Sequence, residues 1–285
     1  MAEISDFSRN AGFYDEVSDA WRGIFGESFH YGCFESNEPE NLTVATTRLT
    51  EKLAAYVDPG PRPLVLDIGC GIGQPAFHLQ NLLGWKFVGI STSRQGIGIA
   101  HGLTSSRAKS EAIRFLLCDA AMCSFKSGVF DLVWMLESAH LIQDKEMLFT
   151  EAFRVLKPGG RFALGDVILR RPLQLGDIYR HIGEFNLLDS VFGKARLELL
   201  QDIRSRLART GFTSIATLDI SKSCQPTFRH WRENLGKNRD AILTPSFSEK
   251  RIADFSKACD VLDNFFTDGT LGYGMAKGEK PRAGR

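Results

Sequence analysis

LVLDIGCGIGQPAFHLQNLL, residues 64–83, decides the fold. Leu64, Val65, Leu66 and Ile68 form the short apolar run expected of a strand buried on both faces of a parallel sheet. Asp67 interrupts the run near its end, glycines follow at 69, 71 and 73, and Pro75 stands where a helix starts without a backbone donor. Ala76, Leu79, Leu82 and Leu83 then repeat at helical spacing. Strand, glycine turn and helix make the first crossover of a nucleotide-binding α/β sheet. The dinucleotide fingerprint wants another glycine three residues after Gly71, and that position is Gln74. What stands instead is Asp-x-Gly-x-Gly-x-Gly. An acid ahead of the glycines opposes a pyrophosphate and suits a ligand that carries an ammonium group and a sulfonium.

The chain around this stretch is ordinary in composition. With 285 residues, 43% hydrophobic and a net charge of +1, it has material for a large core and no excess charge toward nucleic acid or an anionic membrane. No apolar run is long enough to span a bilayer, and MAEISDFSRN lacks a signal-peptide core. The six cysteines include no Cys-x-x-Cys pair, so neither a zinc site nor a disulfide frame is indicated. A reduced, cytoplasmic setting is the simplest reading. The unusual count is 21 phenylalanines, many outside the expected strands.

Outward from the glycine turn the chain divides into four parts. Residues 1–60 form an N-terminal helical arm. Phe13, Tyr14, Val17, Trp21, Ile24 and Phe25 recur there at helical spacing, an apolar face that must cover either the site or a neighbouring subunit. The aromatic loop FHYGCFE, residues 29–35, follows, then a helix marked by Leu49, Leu53 and Val57 and stopped by Asp58-Pro59-Gly60-Pro61. Residues 61–171 are the core. Its second strand, WKFVGI (85–90), leads into Ser91-Thr92-Ser93-Arg94-Gln95, and Ser91 or Ser93 also suits a helix N-cap. The third strand, IRFLLC (113–118), ends at Asp119-Ala120, and the fourth, FDLVWML (130–136), delivers Glu137-Ser138-Ala139-His140 to the same edge. A helix capped by Asp144 stops at Lys157-Pro158-Gly159-Gly160, and the fifth strand, RFALG (161–165), is ended by Asp166.

Residues 172–210 read as a lid insertion and a helix, the insertion rich in apolar side chains between Ile178 and Phe192. Residues 211–285 complete the core with a strand at Phe212 to Ile220, an amphipathic helix at 249–266, and a final strand, LGYGMAKG (271–278). The tail EKPRAGR is expected to fray. The expected fold is α/β, a three-layer, doubly wound, mostly parallel sheet with a helical arm and a lid.

In order and spacing, DIGCGIGQPAFHL, VGIS, CDA, FDLVWMLES and RVLKPGGRFALGD resemble the successive motifs of the Rossmann-like S-adenosylmethionine (SAM) methyltransferases. The nearest likeness is to those acting on sterols, tocopherols, sugars, alkaloids and other natural products. FHYGCFE is similar to the His-x-Gly-aromatic loop of that group, and the resemblance covers residues 13–170. It implies SAM as cofactor, with Asp67, Gly69, Cys70 and Gly71 around its methionine part. Ser91, Thr92 and Gln95 would hold the ribose, Asp119 and Ala120 the adenine, and Tyr31 and Glu137 would lie near the sulfonium. The insertion after the fifth strand would be the lid over the acceptor.

For chemistry, His140 is the leading acid/base candidate, since imidazole ordinarily titrates near working pH; Asp166 stands ready to orient it, with Glu137 beside them. Loop structure is an equal alternative for this histidine. The similar O-methyltransferases often carry His-His, whereas this chain has His140-Leu141. His30, Tyr179, His181, Phe185 and Phe192 are expected to face the acceptor, with no metal. A phenylalanine-rich lid points to an apolar acceptor. The single histidine and the aromatic wealth lean toward carbon methylation of a prenyl or terpenoid group. O- or N-methylation of a natural product is the alternative, and a non-methylating cyclase or a nicotinamide oxidoreductase lies further off. A homo-oligomer through the arm stays open.

Overall fold

The structure, a computed structural model, describes residues 6–35, 41–105, 110–120, 123–244 and 246–282. The side chain of Phe13 lies outside the described residues. The apolar runs become strands β1 (Leu64–Ile68), β2 (Lys86–Ser91), β3 (Ile113–Leu117), β4 (Phe130–Leu136), β5 (Leu156–Leu169), β6 (Thr213–Asp219) and β7 (Leu271–Glu279). They join in one sheet in the order β3-β2-β1-β4-β5-β7-β6. The first five run parallel, β7 is antiparallel to β5, and β6 is antiparallel to β7. The strand order turns around between β1 and β4. A crevice opens at that switch point beyond the carboxyl ends of the strands, where open α/β sheets bind ligands.

Helices cover both faces: α1 (Asp6–Phe25), α2 (Leu42–Val57), α3 (Gln74–Leu83), α4 (Arg94–Ser105), α5 (Lys145–Val155), α6 (Leu175–Arg180), α7 (Ile182–Phe192), α8 (Leu200–Thr210), α9 (Ser221–Cys224), α10 (Thr227–Lys237), α11 (Arg239–Ile242) and α12 (Glu249–Thr267). α5 and α8 close one face around Leu148, Phe149, Ile203 and Leu207. The other face carries α2, α3 and α4, and beyond them α1, α10 and α12, whose apolar residues join the same core. No helix of the described residues is long and apolar enough to cross a membrane.

Four details depart from the sequence reading. β5 does not end at Asp166, because its register with β7, from Arg161 opposite Glu279 to Leu169 opposite Leu271, keeps it extended three residues further. Lys157-Pro158-Gly159-Gly160 is drawn into the start of that strand, with Gly159 at φ +80°. The start of the tail is anchored at Lys280, whose N–H donates to Gly160 O at 2.8 Å and whose ammonium donates to the carbonyls of Phe153 (2.7 Å) and Leu156 (2.8 Å); residues 283–285 lie outside the described residues. Cys118 and Cys123 are joined as a disulfide across the loop after β3, a pairing their spacing did not indicate.

The phenylalanines find their use outside the sheet. Trp21 and Phe25 of α1, Phe192 of α7, Trp231 of α10 and Phe255 of α12 pack ring against ring, with Phe25–Trp231 centroids 4.6 Å and Phe192–Phe255 centroids 5.5 Å apart. Val17, Trp21, Ile24 and Phe25 are all buried, so the apolar face of the arm is consumed within its own chain. This cluster fastens α1 and α7 to the body of the protein. Phe255→Ala, at a fully buried position, is expected to cost about 3–5 kcal/mol of stability, measurable by urea unfolding.

Candidate active site

The glycine turn after β1 is shaped by three positive φ angles, +81° at Gly69, +53° at Gly71 and +81° at Gly73. A Cβ on Gly69 would lie 2.2 Å from Ser138 Cβ, and one on Gly73 would lie 2.3 Å from the Phe115 ring. Gly71 meets nothing within 4 Å; its backbone is open to the crevice. Ser138 Oγ donates to Ile68 O at 2.5 Å and ties the loop after β4 to the end of β1.

Asp67 is 3% exposed at the tip of β1. Among the described residues no hydrogen-bond donor or cation is recorded on its carboxylate, and burial pushes that carboxyl up to about 7. A buried acid without a partner, beside bare glycine backbone, fits a ligand that brings its own ammonium group. This agreement between site and cofactor is what the SAM resemblance requires.

On the β2 side, Ser93 caps α4, accepting the N–H of Gly96 at 2.9 Å, and Ser91 Oγ accepts the N–H of Ser93 at 3.2 Å. α1 reaches this corner too. Asp15 Oδ1 accepts from Ser93 Oγ at 2.6 Å and from the Gln95 N–H at 3.0 Å, a negative charge at the start of a helix. At its near end, Tyr14 O–H donates to Phe192 O at 3.2 Å. The arm therefore crosses the crevice and is tied down on both sides.

At the tip of β4 the chain turns sharply: Glu137 adopts φ +54°, uncommon for a residue with a side chain. Its Oε1 accepts the N–H of Tyr31 at 2.8 Å and the hydroxyl of Tyr273 at 2.9 Å. Burial nonetheless raises this carboxyl well above the usual range, with Asp166 adding to the effect. Beyond it, His140 Nδ1 lies 2.6 Å from Asp166 Oδ1, and the His140 N–H donates to Asp166 Oδ2 at 2.9 Å. The Arg196 N–H donates to His140 O at 2.7 Å, and Lys145 donates to the neighbouring Ala139 carbonyl. Three separate segments thus hold the histidine in place.

These groups surround one cavity of about 530 Å³. Of the residues read from the sequence, Tyr31, Asp67, Gly69, Cys70, Gly71, Ser91, Thr92, Ala120, Glu137, His140, His30, Phe185 and Phe192 line it, and Asp166 backs it through His140. His30 is buried and held neutral, its pKa lowered to about 4 by desolvation. Gln95 and Asp119 lie outside the lining, Gln95 contributing its backbone N–H to Asp15. Tyr179 and His181 also lie outside the lining. Tyr179 stands 76% exposed on the outer side of α6, and His181 turns its ring edge to Phe265, 5.3 Å between centroids. Tyr14, Trp21 and Phe25 also line the cavity, as the apolar spacing of the arm allowed, and so does Leu262 from the apolar face of the 249–266 helix; Trp231, at helical spacing with Phe228 and Leu235, and Asp189 were not singled out in the sequence.

A family model described as a methyltransferase domain matches residues 66–164. The chain is 29% identical over 255 residues to methyltransferase GfsG of Streptomyces halstedii, covering 88% of each. It is also 29% identical over 272 residues to the 27-O-demethylrifamycin SV methyltransferase of Amycolatopsis mediterranei, covering 94% of this chain and 95% of that one. Among solved structures, the (4+2)-cyclase SpnF has the same fold, with a TM-score of 0.81 at 22% identity, covering 96% of this chain and 95% of that one.

Proposed function

We propose that the chain is a SAM-dependent methyltransferase of specialised metabolism that methylates a hydroxyl oxygen of an apolar small molecule, with His140 as base. The observation that carries this reading is the 2.6 Å bond between His140 Nδ1 and Asp166 in the cavity wall. SAM, when bound, supplies a methyl group already activated for in-line displacement. The protein has to align the acceptor, exclude water and receive the hydroxyl proton. With the Nδ1 proton donated to Asp166, His140 presents the lone pair of Nε2, which takes that proton as the acceptor oxygen attacks. Phe185, Phe192 and Trp231 keep the acceptor side apolar. The conserving feature is geometry: both oxygens of Asp166 are spent on His140, one on its ring and one on its backbone.

Carbon methylation is the second reading, favoured by Glu137. This carboxyl lines the cavity together with Tyr31, whose backbone N–H it accepts at 2.8 Å, and an acid beside an aromatic residue suits a cationic carbon. Incubation with ¹³C-methyl SAM and a panel of hydroxylated macrocycles and terpenoids separates the two. A product methyl resonance of the O–CH₃ type supports the hydroxyl reading. A C–CH₃ product formed equally well by His140→Ala overturns it.

The arm makes a second test of the cofactor half. Asp15→Ala removes the acceptor of two hydrogen bonds at the start of α4, one of them charge-assisted from a hydroxyl at 2.6 Å. SAM is then expected to dissociate about 3–10-fold faster, as a loss of about 1 kcal/mol implies, with Tm little changed; stopped-flow displacement by S-adenosylhomocysteine (SAH) measures it.

A further inference from the structure

The cavity wall holds acidic side chains and no strongly basic one among its described residues. Among the described residues that line it, Glu27, Asp67, Glu137 and Asp189 are acidic, and none is lysine or arginine. Of the cations on the bordering segments, Lys194 lies near Asp189, and three others are engaged elsewhere. Lys145 donates to Ala139 O, Arg196 Nη1 to Gln143 O at 2.8 Å, and Arg171 Nη1 to Asp177 Oδ2 at 2.6 Å. No group of three His, Cys, Asp or Glu among the described residues is arranged to hold a metal ion by itself.

The four acids are not equivalent. Asp67 belongs to the glycine turn, Glu137 is occupied by Tyr31 and Tyr273, and Glu27 accepts from Gln74 at 3.0 Å and from Arg22 at 3.3 Å near the arm. Asp189 stands on α7 at the acceptor side, exposed to solvent at the cavity mouth. It receives the Ala195 N–H; burial raises its carboxyl while neighbouring Lys194 pulls the other way. The strap that follows, Gly193 to Leu197, passes directly over His140 through the Arg196–His140 bond.

Resting on the methyltransferase reading of this cavity, we infer that its acceptor is neutral or basic, that phosphorylated and carboxylated acceptors are rejected, and that Asp189 reads the acceptor's polar outer end. An anion brought into this apolar space would lose its hydration against carboxylates, with no fixed cation to compensate. A hydroxyl loses little there, and an ammonium gains a partner at the mouth. A prenyl diphosphate, whose tail alone the aromatic wall would suit, is excluded by its head.

Three probes with one tail and different heads test this: geraniol, geranylamine and geranyl diphosphate, titrated into SAH-loaded protein with and without Mg²⁺. Trp21 and Trp231 line the cavity, so their emission reports filling. The alcohol and the amine are expected to bind, the amine about threefold tighter, and the diphosphate at least tenfold weaker than the alcohol under both conditions. Asp189→Asn is expected to erase the amine's advantage over the alcohol. A diphosphate that binds as well as the alcohol, or a series with no order by charge, overturns the inference. An amine advantage that survives Asp189→Asn overturns the part assigned to that residue. Failure of SAH itself to bind would instead strike the methyltransferase reading, so the two failures are distinguishable.

Discussion

His140→Ala is expected to lower kcat by about 10²–10⁴-fold while leaving SAH affinity within a factor of two. The two halves of this expectation come from different places. His140 lines the acceptor side of the cavity and is bonded through Nδ1 to Asp166, so its loss removes the proton acceptor. The glycine turn and the α4 corner, where the cofactor is read to sit, make no recorded bond to its ring. Asp166→Asn is the finer probe, because Asp166 accepts three hydrogen bonds, from His140 Nδ1, from the His140 N–H, and at 2.8 Å from its own successor's N–H at Val167. Asparagine keeps the shape and much of the loop. It withdraws the charge that stabilises an imidazolium and favours the wrong tautomer. A fall in kcat for Asp166→Asn comparable to that of His140→Ala, with SAH affinity and Tm near wild type, marks a working pair. Turnover unchanged in His140→Ala would reduce the histidine to a structural piece of its loop.

The parts of this site that were legible in the sequence are those made by local chemistry. β1, the glycine turn and α3 follow from a run of 20 residues, and the acid at Asp67 falls where the strand ends. Ser91, Glu137 and His140 follow from the rule that strand ends share an edge. What the sequence withheld depends on long-range pairing. β5 continues past Asp166 only because β7, more than 100 residues later, lies antiparallel to it. Ser221 to Ile242 supplies α9, α10 and α11, and Phe228, Trp231 and Leu235 stand there at helical spacing, a signal the sequence reading did not take up; that this face joins the aromatic cluster depends on long-range packing. In the lid, membership of one aromatic-rich insertion grouped Phe185 and Phe192 with Tyr179 and His181. Spacing alone does not say which side of a short helix such as α6 meets solvent. Asp15 was invisible for a similar reason: an acid on the polar side of an amphipathic arm reads as solvated until the arm is seen to cross α4.

Asp67→Asn is expected to weaken SAM binding by about 30–5,000-fold and, at the same time, to stabilise the ligand-free protein at pH 8. The binding loss is that of deleting one partner from a buried charge pair, about 2–5 kcal/mol. The gain in stability has the opposite origin. The Asp67 carboxyl titrates at about 7 in the folded chain and at about 3.8 when solvated, so the folded state holds its proton more tightly. This group therefore favours folding fully below about pH 4, and that contribution is lost as pH climbs from 4 to 7. At pH 8 the wild type holds a buried carboxylate with no cation, and asparagine removes that burden. The variant's Tm is expected to exceed the wild type's by a few degrees at pH 8 and by little or nothing at pH 4, by scanning calorimetry without ligand. The same linkage governs the wild type with its cofactor. An ammonium group beside Asp67 favours the carboxylate, so SAM binding below pH 7 must expel a proton, and its affinity falls by up to about tenfold per pH unit there. Isothermal titration in buffers of different ionisation enthalpy counts that proton directly. A variant that is less stable at pH 8 and binds SAM normally would make Asp67 a structural acid, and the pairing assigned to the glycine turn would have to move elsewhere.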